Sequence, residues 1–261
     1  MSRFNIHRLG FRSMTGALAL VGSVGLLGAA PALAWDWGFG PRVVGSGQVA
    51  KTQRQVSAFK SLAMEVPANT EIVQGGGEGV VIETDDNIAP LIETVVERDE
   101  LKIRLFKRST SLKPTILKIT VNARNMEKVS MSGYGKLNIE KLQTPSLEMH
   151  VSGSGDVRIA ALATDSLAIS IAGSGDFSAS GRADAVRASI AGSGDLKLPN
   201  LAAKTVKISI AGSGNAKVWA SQSLDVSVAG SGDVAYYGEA AVTQSVAGSG
   251  SVKKLGAAPS Q

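Results

Sequence analysis

The tetrapeptide Gly-Ser-Gly-Asp recurs through the second half of this 261-residue chain at an almost constant interval. It stands at Gly153-Ser154-Gly155-Asp156, Gly173-Ser174-Gly175-Asp176, Gly192-Ser193-Gly194-Asp195 and Gly230-Ser231-Gly232-Asp233. Looser copies are Gly133-Tyr134-Gly135-Lys136, Gly212-Ser213-Gly214-Asn215 and Gly248-Ser249-Gly250-Ser251. The first glycines lie 20, 20, 19, 20, 18 and 18 residues apart. A fixed period of this length marks a stack of repeated supersecondary units.

Apolar residues alternate ahead of each corner: Leu167, Ile169, Ile171; Val206, Ile208, Ile210; Leu224, Val226, Val228. The alternation resumes after it, as in Val157 and Ile159 or Leu196 and Leu198. Period two is a strand with one face buried. Each repeat therefore reads as strand, Gly-Ser-Gly corner, strand and short return loop. About 20 residues cannot hold a strand–helix–strand crossover with its strands. Antiparallel hairpins share the alternation but do not explain one identical corner per repeat. A parallel solenoid does, because it places equivalent residues of successive coils on top of one another. The chain is thus expected to be all-β, a parallel β-helix of about 20 residues per coil. Its structural corner residues are Gly153, Gly155, Asp156, Gly173, Gly175, Asp176, Gly192, Gly194, Asp195, Gly212, Gly214, Asn215, Gly230, Gly232, Asp233, Gly248 and Gly250.

The chain opens on a secretory pattern: basic Arg3, Arg8 and Arg12, an apolar run from Ala17 to Leu27, and a small-x-small cleavage site at Ala32-Leu33-Ala34 before Trp35. Residues 1–34 are read as a signal peptide, with cleavage between Ala34 and Trp35. No transmembrane segment is expected after its removal. The formal charge is +5; without the three signal arginines the balance is 24 basic against 22 acidic groups, or +2. A balance this even does not call for nucleic acid as a partner. The sequence holds no cysteine, so an exported fold must stand on apolar stacking and backbone pairing.

Residues 35–46 follow as an aromatic, glycine-rich segment, Trp35-Asp36-Trp37-Gly38-Phe39, expected to be mobile or to serve as an aromatic sticker. Residues 47–124 form a strand-rich block continuous with the helix. Its strands run through Phe59–Val66, Glu71–Gln74, Val80–Thr84, Thr94–Val96, Leu101–Phe106 and Ile116–Val121. Asp85-Asp86-Asn87 could cap one helical turn through Leu91. Lys102, Arg104, Lys107 and Arg108 read as a solvated strand face, or alternatively as an anion site. The repeat region is assigned to 125–255 and a loose tail to 256–261.

Phe59, Glu71-Ile72-Val73-Gln74-Gly75, Asp85-Asp86-Asn87 and Leu101-Lys102-Ile103, followed by the corner ladder, carry a resemblance. From about Ser57 to Val252 the chain resembles the bacterial "putative auto-transporter adhesin, head GIN domain" family. The resemblance implies a right-handed parallel β-helix, shaped like pectin lyases, and adhesion at the cell envelope. It brings no established catalytic residues. After Val252 the sequence runs to Gly256-Ala257-Ala258-Pro259 without the long barrel segment that an autotransporter uses.

Little in the residues points to chemistry. His150 is the one histidine outside the signal, three positions before Gly153, and should face outward. No His/Cys metal set exists, and a Ser–His–Asp triad could draw on this residue alone. No enzyme and no cofactor are expected. A carbohydrate-active enzyme on the same fold and a Ca²⁺-dependent binding module are the alternatives.

Two surface columns remain. Asp156, Asp176, Asp195 and Asp233, with Asn215, should stack about 4.8 Å apart. Charges at that distance repel by about 1 kcal/mol even in water. Each carboxylate is expected to accept N–H groups of its own corner; a column of Ca²⁺ ions is the alternative. The outward face of the strand before the corner carries very small side chains. Ser170, Ser189, Ser209 and Ser227 form one column, and Ala172, Ala191, Ala211 and Ala229 another. Three such columns over five coils would make a flat face of roughly several hundred Å². That face is expected to be buried against another subunit or an N-terminal segment. The partners are accordingly a protein or glycan at the cell surface, or a second copy of the chain, in the periplasm, on the outer membrane or outside the cell.

Overall fold

The computed structural model describes residues 42–107 and 110–259. The signal, its cleavage site and Trp35 to Phe39 lie outside the described residues, as does Arg108.

The described residues form nineteen strands in chain order: β1 (Arg42–Val44), β2 (Val49–Arg54), β3 (Ser61–Met64), β4 (Asn69–Gln74), β5 (Gly79–Asp85), β6 (Ile92–Glu97), β7 (Glu100–Leu105), β8 (Ser111–Lys113), β9 (Leu117–Ala123), β10 (Lys128–Gly133), β11 (Lys136–Gln143), β12 (Ser146–Gly153), β13 (Asp156–Gly173), β14 (Phe177–Gly192), β15 (Leu196–Gly212), β16 (Ala216–Gly230), β17 (Val234–Tyr237), β18 (Ala241–Gly248) and β19 (Val252–Gly256). Among the described residues one 3₁₀ turn occurs, at Ala89–Leu91. The architecture is the expected one, an all-β solenoid of about 20 residues per coil.

Each coil contributes one strand to each of two faces. The first face holds β3, β10, β12, the second halves of β13 to β16, and β18, all parallel and in register. The second face holds β4, β11, the first halves of β13 to β16, β17 and β19. The alternating apolar residues point between the faces and stack in columns. Leu62, Val129, Met149, Ile169, Ala188, Ile208 and Val226 form one such column, and every member is buried. At roughly 1.5–3 kcal/mol per large buried side chain, these columns supply the main favourable term of the fold.

The return loops expected between coils are largely absent. β13 runs unbroken for 18 residues from one corner to the next, and β14 to β16 for 16, 17 and 15. The chain turns through the second edge while staying paired. That edge also absorbs every change in repeat length. The register shifts lie between Ile159 and Leu162, between Ser178 and Gly181, between Leu198 and Ala202, between Ala203 and Thr205, and between Tyr236 and Tyr237. None falls at a Gly-Ser-Gly corner.

Stacking order departs from chain order before residue 124. β3 pairs with β7 on one side and β10 on the other, and β4 lies between β9 and β11. The first coil of the sequence is therefore the second of the stack. Beyond the coil of β7 and β9, antiparallel strands close the end: β6 on β7, and β2 on β5 on β9. Residues 42–46, expected to be loose, form β1, which pairs with β8, and the start of a strap held by side chains.

That strap corrects the reading of Asp85-Asp86-Asn87. None of the three caps the turn at Ala89, whose first residue has no side-chain cap. Asp85 is fully buried and accepts from Gly47 N–H at 2.8 Å, Thr115 N–H at 2.7 Å and the Thr115 hydroxyl at 2.8 Å. Asp86 accepts from the Ser46 hydroxyl. Asn87 donates to the Val44 carbonyl at 2.8 Å and accepts from Ser46 N–H at 3.0 Å. The opposite end is open: every residue of β18 is exposed. There Gln244 and Lys254 take positions that Val226 and Tyr236 hold one coil earlier. These polar groups serve a coil on which no described strand stacks beyond β18 and β19.

Candidate functional site

The corner explains why both glycines recur, each for its own reason. Gly173, Gly192, Gly212, Gly230 and Gly248 sit at φ between 125° and 139°. An added Cβ there would also lie 2.1–2.4 Å from the carbonyl oxygen of the equivalent glycine one coil before. That same oxygen accepts the N–H of the following serine, as from Ser193 to Gly173 at 2.9 Å and from Ser213 to Gly192 at 2.9 Å. The second glycines have ordinary φ. At Gly175, Gly194, Gly214, Gly232 and Gly250 a Cβ would meet the preceding coil's carbonyl oxygen at 2.2–2.4 Å and a core Val or Ile methyl at 2.8–3.0 Å. Coil spacing of about 4.8 Å leaves no room for a side chain at either place. The corner is a structural device.

Asp176, Asp195 and Asp233 bond the next corner and not, as expected of the column, their own. Asp176 Oδ1 accepts Asp195 N–H at 3.1 Å, Asp195 Oδ1 accepts Asn215 N–H at 3.2 Å and Nδ2–H at 3.1 Å, and Asn215 Oδ1 accepts Asp233 N–H at 3.1 Å. Asp233 Oδ1 closes the series by accepting Ser251 N–H at 2.9 Å and its hydroxyl at 2.7 Å. Asn215 separates two carboxylates: its Nδ2–H donates to the Asp195 carboxylate, and its Oδ1 accepts the backbone N–H of Asp233. Lys197 Nζ lies 2.6 Å from Asp176 and 3.6 Å from Asp195, which offsets their repulsion. The hydrogen bond to Asp176 holds the Lys197 ammonium above its ordinary range. Among the described residues no cluster of His, Cys, Asp or Glu has the geometry to hold a metal ion.

The small columns lie on the outside of the first face. Ser170 is half-buried; Ala172, Ser189, Ala191, Ser209, Ala211, Ser227 and Ala229 are exposed. No described segment of the chain covers them. The face is two small columns wide, not three. The third column reads Lys128, Glu148, Ala168, Arg187, Lys207, Asp225 and Thr243 in register. Lys207 pairs with Asp225 at 3.1 Å, and Lys128 with Glu148 at 3.4 Å. Ala168 leaves a notch in this charged border, part of a groove of about 300 Å³ lined by Glu148, His150, Ser170, Arg187, Ser189 and Lys207. His150 does face outward, with Nε2 2.7 Å from Glu148 Oε1. That hydrogen bond holds the Glu148 carboxyl below its usual range. Two of the upstream basic residues are paired, Lys102 with Glu97 at 2.7 Å and Arg104 with Glu93 at 2.7 Å; Lys107 is exposed.

The fold matches that of known proteins. The family model for "Putative auto-transporter adhesin, head GIN domain" matches residues 58–240. The chain belongs to this family. Two solved structures are similar at 27% identity. One is described as a "putative adhesin" from Bacteroides fragilis, with a TM-score of 0.76 over 82% of this chain and 100% of that one. The other is described as a "putative lipid binding protein" from Parabacteroides distasonis, with a TM-score of 0.69 over 82% of this chain and 99% of that one. A "putative adhesin" from Parabacteroides merdae, at 21% identity and a TM-score of 0.65, shares the fold. No protein of curated function matches the chain. The family and these neighbours are described as adhesins or as lipid-binding, not as enzymes, which points to surface binding by an exported or cell-surface protein.

Within this head GIN domain, sequence reasoning found the two small columns and missed the charged one. Glu148, Arg187 and Lys207 each stand five residues before a corner glycine, at the same period as the rest. The signal was there, but a column of mixed residue types does not announce itself as a repeat. Two other grooves also passed unnoticed. One of about 590 Å³ follows the second edge past Arg124, Thr144, Thr164 and Arg182. One of about 600 Å³ borders the aspartate ladder at Lys197, Pro199, Asn215 and Lys217.

Proposed function

We infer that this head GIN domain protein is exported, is not an enzyme, and acts by surface contact as an adhesin-like or envelope scaffold protein. The observation that supports the reading most is the exposed double column of serine and alanine along the first face. Parallel pairing holds it flat over successive coils, and its small side chains let a partner's backbone or sugar ring approach closely. The column of Glu148, Arg187 and Lys207 supplies polar contacts along one side, as the rim of an interface does. Its partner is a protein or glycan of the cell surface, or a second copy of the chain. Export rests on the basic start, the apolar run and the small residues at Ala32 and Ala34, so the mature protein begins at Trp35. N-terminal sequencing of the exported protein should read Trp35; a chain beginning at Met1 in the membrane fraction would reverse this.

The test of the contact face is the double variant Ala191→Arg with Ala211→Arg. Both side chains are exposed in the single chain, so its melting temperature should stay within about 2 °C of the parent. Assembly in light scattering, or adhesion of protein-coated beads to envelope material, should be lost, because two long charged side chains would stand in a close contact without partners. Undiminished assembly and adhesion would move the contact role away from this face.

A further inference from the structure

The closed end of the solenoid carries a second surface of different chemistry. Phe106 is 72% exposed, the most exposed of the large apolar side chains among the described residues, and Val44 is 57% exposed. Beside Phe106 lies a small cavity of about 220 Å³, lined by Val43, Leu91, Leu105, Phe106, Lys107 and Thr110. β1 and β8 hold this neighbourhood together, with Arg42 opposite Ser111, Val43 opposite Leu112 and Val44 opposite Lys113. Arg42, Lys107 and Lys113 are exposed, and among the described residues none of them meets a carboxylate. Two acids close to β1 are already engaged. Asp85 is buried under its hydrogen bonds, and Asp86 is bonded to Ser46.

We propose that this end docks on the surface of an anionic phospholipid membrane, with Phe106 in the headgroup layer and Arg42, Lys107 and Lys113 on lipid phosphates. An exposed aromatic ring favours the interfacial zone of a bilayer, where its apolar body leaves water. Unpaired basic side chains are drawn to an anionic leaflet by about 1 kcal/mol each. Neither element suffices alone, since one ring or three charges bind only marginally; together they give reversible attachment. Long basic side chains suit the geometry, because their stems can lie along Val44 and Val43 while the charges reach the phosphates. A protein partner would need a complementary shape around a protruding ring, whereas a fluid lipid surface needs none. This surface is separate from the serine and alanine columns, and its test does not depend on them.

The experiment is co-sedimentation of the exported protein with vesicles of phosphatidylglycerol and phosphatidylcholine, against vesicles of phosphatidylcholine alone. Binding should be confined to the anionic vesicles and fall steeply when salt is raised from about 0.05 to 0.5 M. Phe106→Ala should weaken it about tenfold. Lys107→Glu with Lys113→Glu should weaken it at least tenfold. Lys253→Glu, at the open end, is the control and should bind as the parent does. All these residues are exposed, so a thermal melt will confirm that each variant is folded. The proposal is overturned if the parent ignores anionic vesicles, if Phe106→Ala binds unchanged, or if Lys253→Glu loses as much binding as the Lys107 and Lys113 pair. Binding of the end to a protein with no affinity for vesicles would overturn it equally.

Discussion

From Ser146 onward each coil rests on the coil before it in sequence, and one contact pattern is repeated by translation. Before Ala123 the neighbours in space are distant in sequence: Ser61 pairs with Glu100 on one side and Lys128 on the other. The repeat region needs only loops of one coil to close, so it can form locally and propagate. The upstream block must close several longer loops, and in two directions of pairing, before its contacts are made. The difference extends to what holds each part. Backbone approach at glycine corners sets the repeat region. A buried carboxylate and its partners tie the block, drawing Gly47 and Thr115 onto Asp85. One part is specified by what is left out at each corner, the other by particular polar contacts.

The largest expected effect separates glycines by their place in this scheme. Gly212→Ala combines a φ of 132° with a Cβ 2.3 Å from the Gly192 carbonyl oxygen. It should cost about 3 kcal/mol or more in denaturant unfolding. Gly77→Ala, in the block, has nothing within 4 Å and should change stability by less than about 0.5 kcal/mol. Similar midpoints for the two variants would refute the corner assignment.

Next comes the tie of the block. Burial pushes the Asp85 carboxyl up, but the hydrogen bonds from Thr115 and Gly47 outweigh it and hold its pKa below the ordinary value. A depressed native pKa means that the unfolded chain binds the proton more readily. The stabilisation is therefore complete above the unfolded value of about 3.9 and fades as pH falls through the lower native one. Asp85→Asn should lower the melting temperature at pH 7 and flatten its decline below about pH 4. The same variant should expose β2 and β5 to hydrogen exchange before β14 and β15. Uniform loss of protection along the whole chain would show that the two regions do not differ in this way.

A third comparison sits at the border between them. At Gly194 an added Cβ meets the Gly175 carbonyl oxygen at 2.2 Å, whereas at Gly155 the nearest atom is the Cε methyl of Met131. A methionine end can move aside and a paired backbone cannot. Gly194→Ala should cost about 2 kcal/mol and Gly155→Ala about 1 kcal/mol or less. Equal costs would mean that the corner tightens one coil earlier than the contacts indicate.

The smallest effect concerns the aspartate ladder. Asp195→Ala removes the acceptor of the Asn215 N–H groups at an exposed site and should cost about 1 kcal/mol. EDTA should leave the parent's melting temperature unchanged. A rise of several degrees with millimolar Ca²⁺ would restore the metal reading of this column.

The repeat of glycines and alternating apolar residues was enough to determine the architecture, the register and both small columns. Those features depend on contacts between residues about 20 positions apart, and a short fixed period states them directly. Tertiary structure alone decided the order of the early coils. Alternation at period two is the same for parallel and antiparallel strands and for any stacking sequence, so nothing local in Ser61–Met64 says that it will sit between β7 and β10. It also decided the role of Asp85-Asp86-Asn87. Their side chains suit a helix start, but the nearest unpaired donors in three dimensions belong to the strap at Gly45–Gly47 and to Thr115. The direction of the aspartate bonds was settled in the same way. A carboxylate beside a tight corner can reach its own N–H groups or those of the next coil, and the stacking distance brings the next coil's N–H into line. Whether a small, exposed column faces solvent or a partner has no signature in one chain, because that depends on a surface the chain itself does not carry.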